Sequence, residues 1–193
     1  MAHTIAVRVA FSLATVLGAV SFGEAKSRWG APLERDRKEG AKPCDWTEFY
    51  ARADREGLRL AYRCAETIDF TRGAAYCVYL DTDGKRGTGY RGGADNFPIG
   101  ADFLLQGGTL HRYTGDGIAW SWTIDGETAY ALDSDWAEFT ISPALLPLAR
   151  DELRVFLLGD NTAEGVGGTG NDEMPDGALR KGGGGKFFRI KIR

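Results

Sequence analysis

Two histidines, two methionines and three cysteines in 193 residues leave little material for transition-metal chemistry. Cys44, Cys64 and Cys77 are spaced by twenty and thirteen residues with no histidine nearby, which does not describe a zinc site. There is no GxSxG elbow, no HExxH pair and no phosphate-binding glycine loop, so nothing points to a recognised catalytic class. The longest apolar-leaning run, Val9 to Val20, has twelve positions, too few to span a bilayer. Excess positive charge is also missing. A formal net charge of −3 argues against a general nucleic-acid binder.

Arg8 precedes that apolar run, and Gly23-Glu24-Ala25 supplies the small-x-small pattern of a signal-peptidase site. Residues 1–25 therefore read as a signal peptide, with an uncleaved N-terminal anchor as the alternative, and the protein as secreted or periplasmic. Residues 26–43 are charged, contain Gly30, Pro32, Gly40 and Pro43, and show no apolar period. They read as a flexible lead-in to a single domain over 44–193. The basic residues concentrate in this lead-in and at the C-terminal end, where they solvate a linker and an outer strand. In an oxidising compartment two of the cysteines can pair. A hairpin turning near Phe70-Thr71 would set Cys64 opposite Cys77, and the alternative is buried thiols acting as small hydrophobes.

Glycine is abundant, at 27 residues, and it marks turns. Residues 45–53 predict a short strand or helical turn. Leu58, Leu60, Tyr62 and Cys64 then alternate with Arg59, Ala61, Arg63 and Ala65, the period of a half-buried strand. From Ala101 to Ser142 the pattern predicts a meander of strands at 101–106, 109–114, 119–124, 127–133 and 136–141. Its turns fall at Gly107-Gly108, Thr114 to Gly117, Asp125-Gly126 and Ser134-Asp135. A capped helical turn near 143–149 and strands at 153–158 and 186–192 complete an all-β, antiparallel, jelly-roll-like sandwich.

Opposed residues of a hairpin share a face. The turns pair Leu104 with His111, Tyr113 with Trp120, His111 with Trp122, and Ala131 with Glu138. One face then collects Phe103, Leu105, Leu110, Tyr130, Leu132, Phe139 and Ile141 as core. The other carries Asp102, Gln106, His111, Tyr113, Trp120, Trp122, Trp136 and Glu138. An aromatic surface edged with polar groups suits sugar, whose C–H faces stack on indole and whose hydroxyls need hydrogen-bond partners. A β-bulge in strand 119–124 would instead turn Trp120 and Trp122 into the core.

Asp81, Asp83 and Asp102 can fold back onto one hard cation, and calcium takes six to eight oxygens in flexible loops. Asp95 and Asn96 lie close enough in sequence to join them. The spacing is not that of an EF-hand, and the alternative is a solvated turn in which Asp81 caps backbone amides. Asp160-Asn161 with Asn171, Asp172, Glu173 and Asp176 reads equally as a mobile polar loop or a second site. A glycosidase-like pair of Glu138 with Asp102 would require a specific carboxylate separation.

The ordered series VYLDTDGKRGTGY, IGADFLL, LHRY, WSW, WAEFTISPALL and GDN resembles the β-sandwich domains similar to family-nine carbohydrate-binding modules, within the wider DOMON-like group. The resemblance covers residues 45–193. It implies a jelly-roll-like sandwich, a structural calcium site at Asp81, Asp83 and Asp102, and binding rather than turnover, with Trp120 and Trp122 nearest to the aromatics that clamp a glycan end. Haem-binding DOMON relatives use methionine and histidine, for which only Met174 and His111 are available here. The expected function is an exported, non-catalytic module for a glycan or polysaccharide, with ligand contacts at Trp120, Trp122, His111, Tyr113 and Glu138. An envelope interaction domain without a small ligand, or a secreted glycoside hydrolase, are the competing readings.

Overall fold

A computed structural model describes residues 28–148 and 150–193. The signal-peptide reading of residues 1–25 lies outside the described residues, as does Ala149 of the expected helical turn. Every described strand lies in one compact unit, Ala31–Arg193. It is an antiparallel β-sandwich.

In chain order the strands are β1 (Glu34–Arg35), β2 (Trp46–Asp54), β3 (Gly57–Cys64), β4 (Cys77–Asp81), β5 (Phe103–Gln106) and β6 (Thr109–Tyr113). Then follow β7 (Trp122–Glu127), β8 (Ala129–Asp133), β9 (Trp136–Ile141), β10 (Glu152–Gly159), β11 (Asp172–Met174) and β12 (Phe188–Lys191). The first sheet runs β1-β2-β3-β9-β8 and the second β11-β10-β4-β5-β6-β7, with β12 also paired to β10. Pairing throughout both sheets is antiparallel.

The period of two along β3 does what it implies. Leu58, Leu60, Tyr62 and Cys64 point inward, where β9 adds Ala137, Phe139 and Ile141. Val78, Leu80, Phe103, Leu105, Leu110, Val155 and Leu157 face them from the second sheet, closing one inter-sheet core. Fully burying such a side chain contributes about 1.5–3 kcal/mol. The second sheet also carries a smaller core on its outer face. Cys77, Tyr79, Leu104 and Phe156 point away from the first sheet and are covered by Tyr90, Phe97 and Ile99 of the glycine-rich loop and by Ala178. Leu145 and Leu146 both donate to the Ser142 carbonyl, making one helical turn after β9.

Several expectations are corrected. The meander does not continue through Asp125-Gly126, because β7 runs straight through both residues. The chain leaves the second sheet at Thr128, whose N–H and hydroxyl both donate to the Gly108 carbonyl, and β8 joins β9 in the first sheet. Ala129 and Ala131 therefore do not lie beside the tryptophans. Gly126 adopts no turn conformation, and a Cβ there would sit 2.8 Å from the Leu145 Cδ2 methyl, so a larger residue would have to push the Leu145 side chain aside. Tyr130 and Leu132, placed in the core by pattern, lie on the edge strand β8 and are exposed. Trp136, placed on the open face, is buried beneath Tyr50 and Arg63 on the outer side of β9. Within the segment read as a flexible lead-in, Glu34 and Arg35 pair with Phe49 and Glu48, since main-chain pairing needs no apolar period.

The cysteines are also rearranged. β3 and β4 belong to different sheets, so Cys64 and Cys77 are not opposed across a hairpin. Cys64 meets Cys44 in the inter-sheet core, whereas Cys77 lies in the outer cluster.

Candidate functional site

The DTDG turn leaves the end of β4, and Gly84 takes a φ of 69°, a conformation that favours glycine. This bend lets the Gly84 N–H donate to Asp81 Oδ1 at 2.6 Å. Asp102 Oδ2 accepts from the Thr82 N–H and hydroxyl at 2.8 and 2.9 Å, which ties the two ends of the glycine-rich loop together. Asp83 accepts from the Lys85 N–H and the Thr88 hydroxyl. One carboxylate oxygen from each of Asp81, Asp83 and Asp102 lies within 4.8 Å of the others. The turn reading and the ion reading thus describe the same residues.

Asp81 is fully buried, and its Oδ2 has no hydrogen-bond partner. The nearest cation is Arg154, with Nη1 at 3.7 Å. Burial pushes the Asp81 carboxyl up to about 6; the Gly84 amide and Arg154 oppose the rise, while Asp102 and Asp83 add to it. Burial likewise raises Asp102. A buried carboxylate oxygen without a donor, beside two further carboxylates, fits a bound cation. Arg154 is an element the sequence reading missed, and only the β4–β10 register reveals it. Asp95 does not join the cluster, since Arg86 and Arg91 hold its carboxylate.

The aromatic side of the site is built on β6 and β7. Tyr113 pairs with Trp122 and His111 with Ile124, two residues out of step with the expected register. A bulge follows, between the Leu110–Gly126 and His111–Ile124 pairs, and leaves Asp125 as the extra residue. Because it lies beyond both tryptophans, the bulge does not turn them inward. Thr123, sent inward by parity, sits exposed at the open margin of the sandwich.

Trp122 is half-buried against Tyr79 and Tyr113, while Trp120 is 58% exposed. Tyr90 forms the hub, with ring centroids 5.5 Å from Tyr113, 5.5 Å from Trp120 and 5.6 Å from Trp122. Trp120 meets both Tyr90 and Trp122 in T-shaped contacts and still exposes more than half of its surface. The 114–121 loop carrying it is pinned by the Tyr113 hydroxyl, which donates to the Ala119 carbonyl and accepts from the Gly117 N–H. The sequence reading missed Tyr90; its only signal was an aromatic at the end of a glycine-rich stretch.

A surface depression of about 300 Å³ lies beside the acidic cluster and reaches Tyr113. Its lining includes Thr82, Asp83, Asp102, Arg112 and Tyr113. Arg112 is held by Asp125 at 2.8 Å and lies over the Phe103 ring. His111 shares the outer face with Tyr113, and burial lowers its pKa.

Glu138 is not brought to this site. It lies on β9 between Ala61 and Ala131, on the outer face of the first sheet, so the sandwich separates it from the aromatic patch. The pair of Glu138 with Asp102 is not assembled. Met174 is buried in the inter-sheet core and His111 is on the outer face, so they do not flank a common haem position. The second acidic cluster serves the backbone. Asn161 bridges Cys44 and Gly170, Asp172 accepts from the Trp46 N–H, Glu173 accepts from the Leu179 N–H, and Asp160 accepts from Asn171.

Among the described residues no helix is long and apolar enough to cross a membrane. Comparison with models of known protein families, with curated proteins and with solved structures finds no match to this chain.

Proposed function

We propose that this protein is an exported, non-catalytic binding module for carbohydrate, braced by a structural calcium ion at Asp81, Asp83 and Asp102. The observation that carries the reading is Trp120, an indole 58% exposed yet held by Tyr90 and Trp122. A ring already in contact with two neighbours has less conformational entropy to lose, and its exposed surface can stack on the C–H face of a pyranose. Thr82, Asp83 and Thr88 line the adjoining depression and offer polar groups for hydroxyls. The resemblance to family-nine-like modules agrees with this use of the site. At Asp81 the buried, donor-free oxygen supports a cation, and calcium is the hard ion that carboxylate-rich loops take.

The test is retention of the purified protein on a panel of insoluble and gel-embedded polysaccharides. At least one glycan should retain the wild-type protein, and Trp120→Ala should weaken that retention at least tenfold, as expected for one lost stacking contact of ~1.5 kcal/mol or more. Equal retention of both proteins would remove the aromatic patch from the function.

A second reading is an interaction domain of the envelope. Ile124, Tyr130 and Leu132 support it, being exposed on β7 and β8, an edge strand of each sheet. Failure of every glycan, with a protein partner captured through Tyr130 and Leu132, would favour that function.

A further inference from the structure

Cys44 and Cys64 bring their Sγ atoms to 3.7 Å in the inter-sheet core. Both backbones are anchored independently of this contact. Cys44 exchanges two hydrogen bonds with the Asn161 side chain, at 2.8 and 2.6 Å, and the Cys64 N–H donates to the Asp135 carbonyl at 2.9 Å. A bonded pair would need the sulfurs about 1.7 Å closer. Side-chain torsions are the softest degrees of freedom through which the sulfurs can approach. Cys77 is excluded from the pairing by topology. It points to the other side of β4, where its thiol meets the Ala74 carbonyl and Gln106.

We propose that Cys44 and Cys64 form an intramolecular disulfide by exchange with an external disulfide, and that Cys77 stays a thiol. The pairing rests on the placement of the sulfurs and is independent of the glycan reading. Cys44 and Cys64 are both buried in the folded protein, so the exchange belongs to folding, before the two sheets close over the thiols. The Cys64 thiolate attacks one sulfur of the oxidant, forming a mixed disulfide and expelling the first thiolate. Cys44 then gives up its proton and attacks the Cys64 sulfur, expelling the second thiolate. The two protons from the protein thiols end on the two released thiols, and two electrons pass to the oxidant. Burial raises the Cys44 thiol well above its usual range, so the second exchange is slow in the folded protein and faster during folding.

The test is refolding of residues 26–193 and of the full chain in buffer dominated by oxidised glutathione, followed by intact-mass measurement and non-reducing peptide mapping. The expected product is a monomer lighter by about 2 Da, with the Cys44 peptide linked to the Cys64 peptide and one alkylatable thiol after denaturation. Its Tm should exceed that of the reduced protein by about 5–10 °C. Cys77→Ser should form the same link. Three alkylatable thiols after refolding, a link to Cys77, or a disulfide-joined dimer would each overturn the proposal.

Discussion

Trp120 and Trp122 are two residues apart and differ in what they do for the molecule. Trp120 keeps more than half of its surface exposed, so Trp120→Ala should change stability by less than about 1 kcal/mol while weakening glycan retention at least tenfold. Trp122 covers Tyr79, and Trp122→Ala should cost about 2–3 kcal/mol in urea denaturation, less than a fully buried tryptophan. Equal stability losses in the two variants would contradict this division. Asp172 provides a second test at the same scale. Its carboxyl is buried, accepts from the Trp46 N–H, and is pushed up to about 7 chiefly by burial, with Asp45, Asp36 and Glu39 adding to the rise. The folded state therefore holds a proton that the unfolded chain releases near its ordinary value, so stability is highest at low pH and falls as pH rises from about 4 to about 7. Asp172→Asn keeps an acceptor for Trp46 and should flatten this part of the profile, recovering on the order of 2 kcal/mol at pH 8 relative to pH 4. Urea titrations at both pH values decide it, and parallel profiles for the two proteins would refute the assignment.

At the scale of elements, the most instructive stretch is β7. Alternation, Asp-Gly and Gly-Gly are strong local signals, and they placed β5 and β6 in the observed register, Leu105 opposite Leu110 and Leu104 opposite His111. Asp125-Gly126 carries the same dipeptide signal but makes no turn. There the glycine answers to Leu145, nineteen residues further on, and the extra residue of the bulge is visible only once β6 is in place. Parity, which survives a register shift of two, put the tryptophans on the outer face but left open whether a bulge in their strand would turn them inward; the exposure of Tyr130 and Leu132 was not legible, because nothing local tells an edge strand from a central one. Glu138 was assigned to the aromatic face by a correct local pairing with Ala131 and an incorrect assumption about which sheet that pair belonged to. The packing role of Gly126 can be tested directly. Gly126→Val should destabilise by about 1–3 kcal/mol, and Leu145→Ala in the same chain should recover much of the loss, beyond what the two single substitutions predict by addition. Strict additivity would mean that the two residues do not meet.

For the whole molecule, the acidic cluster and the aromatic patch are joined by the loop between them. The Asp81 and Asp83 end and the Asp102 end of this loop meet at the proposed cation site, and the intervening chain carries Tyr90, Phe97 and Ile99 over the outer face of the second sheet. Arg86 donates to the Phe97 carbonyl, and Tyr90 exchanges hydrogen bonds with Ala101, so hydrogen bonds within the loop also hold its shape. A cation would neutralise three converging carboxylates at its base, stabilising the closed loop by mass action. Since Tyr90 is also the ring against which Trp120 rests, the same closure would steady the proposed sugar platform. Calcium at a concentration 100 times its Kd should therefore add about 2.7 kcal/mol of stability. Amide exchange at Tyr90, Phe97 and Ala101 should slow in parallel, and glycan retention should weaken after chelation. Asp81→Asn should lose all three responses while leaving Trp120 exposed. Calcium-dependent exchange in this loop with unaltered glycan retention would leave the ion as a brace of the outer core and disconnect it from binding, whereas no change in exchange would take the ion out of the loop altogether.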